Sequence, residues 1–186
     1  MAKSIRMTEP QPTPAQKVLK RVLLVAAIDG WSVIVIAGLG ILLTLLLGDL
    51  SSLLVGVLVL AAGIMELRGR RQLRRRDPAG MKLLVRAQLF LLAVILVYCA
   101  SRLGSYDQES MLANLTPDMK AMLKESGIEV AELAPLVQLA FVATYGLLAF
   151  LTLVFQGGLI LYYRSKTRLI TDALAAPPMP PSQAVY

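Results

Sequence analysis

The sequence predicts an all-α polytopic membrane protein, a bundle of four transmembrane helices with a small amphipathic helical cap on the extracytoplasmic side. Three observations carry that expectation. The chain is 56% hydrophobic over 186 residues, more apolar surface than a soluble domain of this size can bury. Its apolar residues are gathered into four runs, at about 22–47, 50–67, 83–101 and 136–163, close to or beyond membrane-spanning length. The basic residues are divided unequally between the loops. Arg68, Arg70, Arg71, Arg74, Arg75, Arg76 and Lys82 lie between the second and third runs. The segment between the third and fourth has only Lys120 and Lys124, against six acids. Positive charge in short loops marks the cytoplasmic side, so loop 68–82 and both termini are expected there, with 103–134 outside.

Residues 1–16 hold Pro10, Pro12 and Pro14 among polar side chains and read as a disordered cytoplasmic tail. The helical membrane domain follows over 17–170. Its first run is interrupted only by Asp29 and is too long for the core of a cleavable signal peptide. At about 1.5 Å per residue it also exceeds the hydrocarbon core. The helix therefore tilts or projects its first turns into the interface, where Trp31 is well placed. Gly48, Asp49, Ser51 and Ser52 form a tight turn. The second run returns to the cytoplasm, and the Arg-rich stretch continues its helix as far as the turn signal Asp77-Pro78-Ala79-Gly80. The third run starts beside Lys82 and ends at Arg102. The fourth, opened by Pro135, ends at Tyr162-Tyr163-Arg164, an aromatic and basic anchor. Four spans put both termini on one side, and both termini are basic.

Within 103–134, Thr116-Pro117-Asp118 is a helix start, Met119, Met122 and Leu123 share a face, and Ser126-Gly127 ends the helix. The segment is too small to fold alone. Its apolar face rests on the bundle or serves a partner. After 170, Pro177, Pro178, Pro180 and Pro181 mark a Pro-rich disordered cytoplasmic tail over 171–186.

Ionisable groups inside a membrane are expensive and are the first candidates for function. Asp29 stands 20 residues before Asp49, and Glu66 stands 17 after it. An antiparallel hairpin sets the two at similar depth, near the cytoplasmic end, in a layer with Arg68, Arg70 and Arg86. Asp29, Glu66, Arg70 and Arg86 are thus the candidate intramembrane ion-pair layer: Asp29 pairs with an arginine, and Glu66 and Arg70 stand i, i+4. The competing use of the carboxyls is coupling to proton or cation movement. Arg102 is expected to snorkel to the outer interface, within range of Asp107 or Glu109.

Gln138, Gln156, Thr144 and Thr152 read as interhelical hydrogen-bonding groups. Gln156 stands alone at mid-depth, with Tyr145 and Thr152 not aligned to it, so no polar path is expected. Gly38, Gly40, Gly56, Gly63, Gly146, Gly157 and Gly158 permit close helix approach. Arg68, Arg71, Arg74, Arg75 and Arg76 are candidate contacts for anionic lipid headgroups. With no interleaved aromatics and no nucleic-acid module, the cluster is not read as a nucleic-acid surface.

The inventory narrows the function classes. There is no histidine and a single cysteine, Cys99. The commonest metal ligand, the usual general base and any intrachain disulfide are absent. No catalytic, cofactor-binding or metal-binding residue is assigned, and neither an enzyme nor a cofactor is expected. The expected protein is a non-enzymatic accessory, assembly or regulatory component of a membrane complex, in contact with lipids and with a membrane partner or further copies of itself. A bacterial inner membrane is the expected setting. The alternative is a small transporter or channel using Asp29 and Glu66 as membrane-edge carboxylates. A membrane enzyme would require Asp29, Glu66 and the arginine cluster to converge on a lipid-like substrate.

Overall fold

The computed structural model describes residues 14–107, 118, 122, 125 and 130–175. They form four long helices: α1, Pro14–Leu47; α2, Leu50–Arg74; α3, Ala79–Gly104; and α4, Val130–Ala175. Each contains one apolar run, and each is long and apolar enough to cross a membrane. A helix closes its backbone hydrogen bonds internally, which lets such a run leave water. Consecutive helices pack along one another, while α1 and α4 meet over a shorter stretch.

The two short connections are built from capping chemistry. Gly48, at φ 72°, ends α1 in the left-handed region, and the Asp49 N–H returns to the Thr44 carbonyl at 3.2 Å. The Asp49 carboxylate then caps α2, accepting the Ser52 N–H at 3.2 Å and the Ser52 hydroxyl at 2.6 Å. At the other end of α2, Arg76 takes the left-handed position at φ 63°. The N–H groups of Arg76 and Asp77 donate back to Leu73 and Gln72 at 3.1 and 3.0 Å, a Schellman closure without glycine. The Asp77 carboxylate accepts the Ala79 N–H at 2.9 Å and starts α3. The turn expected over 77–80 is therefore tighter, with Gly80 already inside a helix. Likewise Pro14, within the stretch expected to be a tail, is already part of α1.

Two buried clusters form the core. At the arginine-rich end, Val22 and Ala26 of α1, Leu73 of α2, Met81 and Leu84 of α3, and Tyr163 and Ile170 of α4 pack together. Farther along, Val33, Ala62 and Leu91 join α1, α2 and α3 alone. There α1 exposes Leu39, Leu42, Leu43 and Leu46, and α4 exposes Leu147, Phe150, Val154 and Phe155.

Glycines set the tightest approaches. A Cβ on Gly80 would lie 2.5 Å from the Gly69 carbonyl oxygen, so α2 and α3 touch backbone to backbone. A Cβ on Gly63 would stand 3.2 Å from the Gly30 carbonyl, which brings α1 close to α2. Gly56 packs on Ile41, whereas Gly38, Gly40, Gly146, Gly157 and Gly158 meet nothing within 4 Å. Of the expected cap, Asp118, Met122 and Glu125 are helical. The rest of that segment between 108 and 129, and both tails at 1–13 and 176–186, lie outside the described residues.

The glycine contacts predict a sharp contrast. Gly80→Ala should lower stability by about 1–3 kcal/mol through overpacking against backbone, and Gly40→Ala should be neutral or slightly stabilising. Unfolding of the two detergent-purified variants by heat or denaturant measures the difference.

Candidate functional site

Four polar side chains, Asp29, Glu66, Gln88 and Tyr163, meet in one cluster near the arginine-rich end. Glu66 lies on the inward face of α2, with Gly63 one turn before it and Gly69 one turn after. Gly63 is the point of approach to α1 and Gly69 the point of approach to α3. Glu66 is thereby held between two helices at 1% exposure. Its carboxyl faces that of Asp29, which is half-buried on α1 beside Gly30. The Tyr163 hydroxyl of α4, fully buried, donates to Glu66 Oε1 at 3.0 Å. The Gln88 amide of α3, 1% exposed, donates Nε2 to Asp29 Oδ2 at 2.6 Å. Each helix contributes one side chain. The two hydrogen bonds run α3 to α1 and α4 to α2.

The arginines expected in this layer do other things. Arg70 donates Nε to the Leu23 carbonyl at 3.0 Å, tying α2 to α1 without an ion pair to Glu66. Arg86 is exposed on α3. Among the described residues the ion pair is instead at the far end, where Arg102 donates to Asp49 Oδ2 at 2.9 Å and to Ser52 Oγ at 2.7 Å. Arg102 also lies over the Tyr98 ring, 5.4 Å from its centroid. Arg102 thus binds the residue that caps α2, and so fastens the α1–α2 turn to the end of α3. Beside it a groove of about 590 Å³ runs between α2 and α3, walled by Leu54, Leu58, Phe90 and Val97, with Tyr98 and Arg102 at its end.

The inward stripe of α4 corrects the view of Gln156 as an isolated group. Thr152, Gln156, Ile160 and Tyr163 are buried, and Tyr145 is half-buried on the same side. At 100° per residue, positions 145, 152, 156 and 163 fall within about 20° of one direction. Tyr145 meets Phe141 at 4.7 Å and Tyr98 at 5.9 Å between ring centroids. Thr152 donates to the Leu148 carbonyl of its own helix at 2.8 Å. Gln156 Oε1 and Gln88 Oε1 are buried without a hydrogen-bond partner among the described residues. Gln138 and Thr144 are exposed.

Two members of the cluster, Gln88 and Tyr163, were not assigned to it from sequence. Gln88 was within reach of the hairpin counting that aligns Asp29 with Glu66: Glu66 stands 11 residues before Asp77 and Gln88 stands 11 after. Tyr163 has the composition of an interfacial anchor, and only its position on the Gln156 stripe marks it as inward. No group of three or more acidic or cysteine side chains among the described residues could hold a metal ion. Compared with known protein families, characterised proteins and solved structures, the chain matches none.

Tyr163→Phe should lower stability by about 1 kcal/mol, because the ring packing is kept and one buried hydrogen bond is lost. Tyr162→Phe, on the less buried neighbour, should change it little. A double-mutant cycle of Tyr163→Phe with Glu66→Gln, read by unfolding in detergent, should return a coupling energy above the additivity error of about 0.5 kcal/mol.

Proposed function

We propose that the chain is a non-enzymatic integral membrane protein, an accessory, assembly or regulatory subunit that docks to a membrane partner or to further copies of itself. The observation that carries this is the outward surface of α1 and α4. Away from the arginine-rich end these helices expose large apolar side chains, and their glycines at 38, 40, 146 and 158 open onto space. Small residues on an outer face let another helix come within backbone distance, which is how helices associate in lipid. Gentle purification and mass measurement of the intact assembly test the proposal. A stoichiometric partner or a defined homo-oligomer, dissociated by Gly40→Leu or Gly146→Leu with the melting of the bundle unchanged, is the expected result. A monomer that retains nothing but lipid refutes it.

A second function is favoured by one observation, the meeting of Asp29 and Glu66 with no cationic partner among the described residues. Carboxyls that face one another within a helical bundle are an arrangement that coupled transporters use. Asp29→Asn separates the two. Loss of proton or cation flux from reconstituted vesicles with the fold intact supports transport. Loss of fold stability with no flux in the unsubstituted protein supports a fastening role.

For orientation, the arginine excess supports a cytoplasmic loop between α2 and α3, in a bacterial inner membrane. Ala79→Cys and Ser105→Cys, both exposed, in a Cys99→Ser background should label from opposite sides of the membrane. Position 79 should be reached only after the cytoplasmic side is opened.

A further inference from the structure

We propose that the outer face of α2 between Met65 and Arg75, with Leu83 of α3, is a binding site for an anionic glycerophospholipid whose headgroup carries a hydroxyl. The site presumes the membrane setting described above. Positions 65, 68, 72 and 75 follow the three-and-four spacing of one helix face, and Arg71 flanks it. With Leu83 they line a groove of about 480 Å³. Arg68, Arg71 and Arg75 are exposed, and none makes an ion pair with a described residue. Three unneutralised guanidinium groups around one groove suit a phosphodiester, which they bind by charge and by paired N–H donation.

The remaining residues select the rest of the ligand. Met65 and Leu83, both half-buried, give the groove an apolar floor, which a free phosphate would leave uncovered and an acyl chain would cover. No aromatic side chain lines it, so there is no platform for stacking a base. Gln72 also lines it and has its Oε1 without a hydrogen-bond partner. That oxygen is enclosed as the side chain stands; rotation of the amide toward the groove brings it to a headgroup hydroxyl, and phosphatidylglycerol offers both the phosphodiester and the hydroxyl.

The test compares two charge-matched variants of the full chain, Arg68→Gln/Arg75→Gln and Arg74→Gln/Arg76→Gln, with the unsubstituted protein. All are reconstituted in phosphatidylcholine vesicles containing phosphatidylglycerol, and the lipid retained on re-extraction is identified by mass. At about fivefold per basic residue, removing Arg68 and Arg75 should cut phosphatidylglycerol enrichment roughly thirtyfold. Removing Arg74 and Arg76 should cut it far less. Equal losses from both variants, competition by inorganic phosphate at the concentration of the lipid, or equal retention of phosphatidylcholine each overturn the proposal. Should the first variant fail to fold, a photo-crosslinking residue at Leu83 of the otherwise native chain decides. Selective labelling of phosphatidylglycerol is expected, and equal labelling of both lipids overturns the site. Alkaline extraction of native membranes tests the membrane setting separately, because release of the protein there would refute that setting whatever the lipid selectivity.

Discussion

A carboxyl group placed among four apolar helices must find partners, and Glu66 dictates where those helices stand. Leaving such a polar group unpaired in an apolar surrounding costs several kcal/mol. Each interhelical hydrogen bond that satisfies it returns only about 0.6–2 kcal/mol. The cluster is therefore a weak source of net stability and a strong source of discrimination. Rotating α4 by one residue would carry Tyr163 away from Glu66, and rotating α3 would carry Gln88 away from Asp29, leaving that carboxyl without its donor. Because Gln88 reaches Asp29 and Tyr163 reaches Glu66, two of the three pairs of non-consecutive helices, α1 with α3 and α2 with α4, are fixed at once. The glycines make this geometry reachable. Gly63 and Gly69, a turn to either side of Glu66, remove the side chains that would hold α1 and α3 away. Polar pairing and close backbone approach are thus two halves of one constraint.

The consequence is a bundle that is tight at one end and loose at the other. Near Glu66 all four helices share a core, and farther away only α1, α2 and α3 do. The ion pair of Arg102 with Asp49 secures the far end of the first three helices, because it joins the cap of α2 to the last turn of α3. It does not include α4. On α4, Tyr145 touches α3 through Tyr98, but most of the large side chains face outward. A surface of this kind is ordinary against lipid, and it is equally a surface on which another helix can lie.

Much of the architecture was legible because the two strongest signals, apolar run length and turn chemistry, act locally. Asp49 caps α2 with its own carboxylate and Asp77 closes a turn onto the Ala79 N–H just before α3, so the ends of α1, α2 and α3 follow from a few adjacent residues. Counting along a hairpin from Asp49 also brings Asp29 beside Glu66. What stayed hidden is rotation about the helix axes. The partners of the carboxyls were expected to be arginines, since opposite charge is the obvious match. Arg70 instead spends its Nε on a backbone carbonyl, and neutral donors on α3 and α4 fill the site. The small residues were legible only in part for the same reason: Gly56 and Gly63 pack closely, as expected. Gly30, Gly69 and Gly80 make close contacts, while Gly38, Gly40, Gly146, Gly157 and Gly158 face outward, and composition alone does not tell one set from the other.

The stretch of α2 from Met65 to Arg75 joins the interior to an exposed basic face. Its inward residues are Glu66, Gly69 and Leu73, which meet α4, α3 and the core. Its outward residues at 65, 68, 72 and 75 form the basic groove at the same level. Both faces belong to fewer than four turns of one rigid helix. The arginines of the groove therefore stand on the same backbone that holds Glu66 against Asp29. The backbone contacts at Gly63 and Gly69 leave that stretch little room to shift without parting the cluster. The exposed arginine face and the hydrogen-bonded interior are thus two sides of a single helix, one helix diameter, about 10 Å, apart.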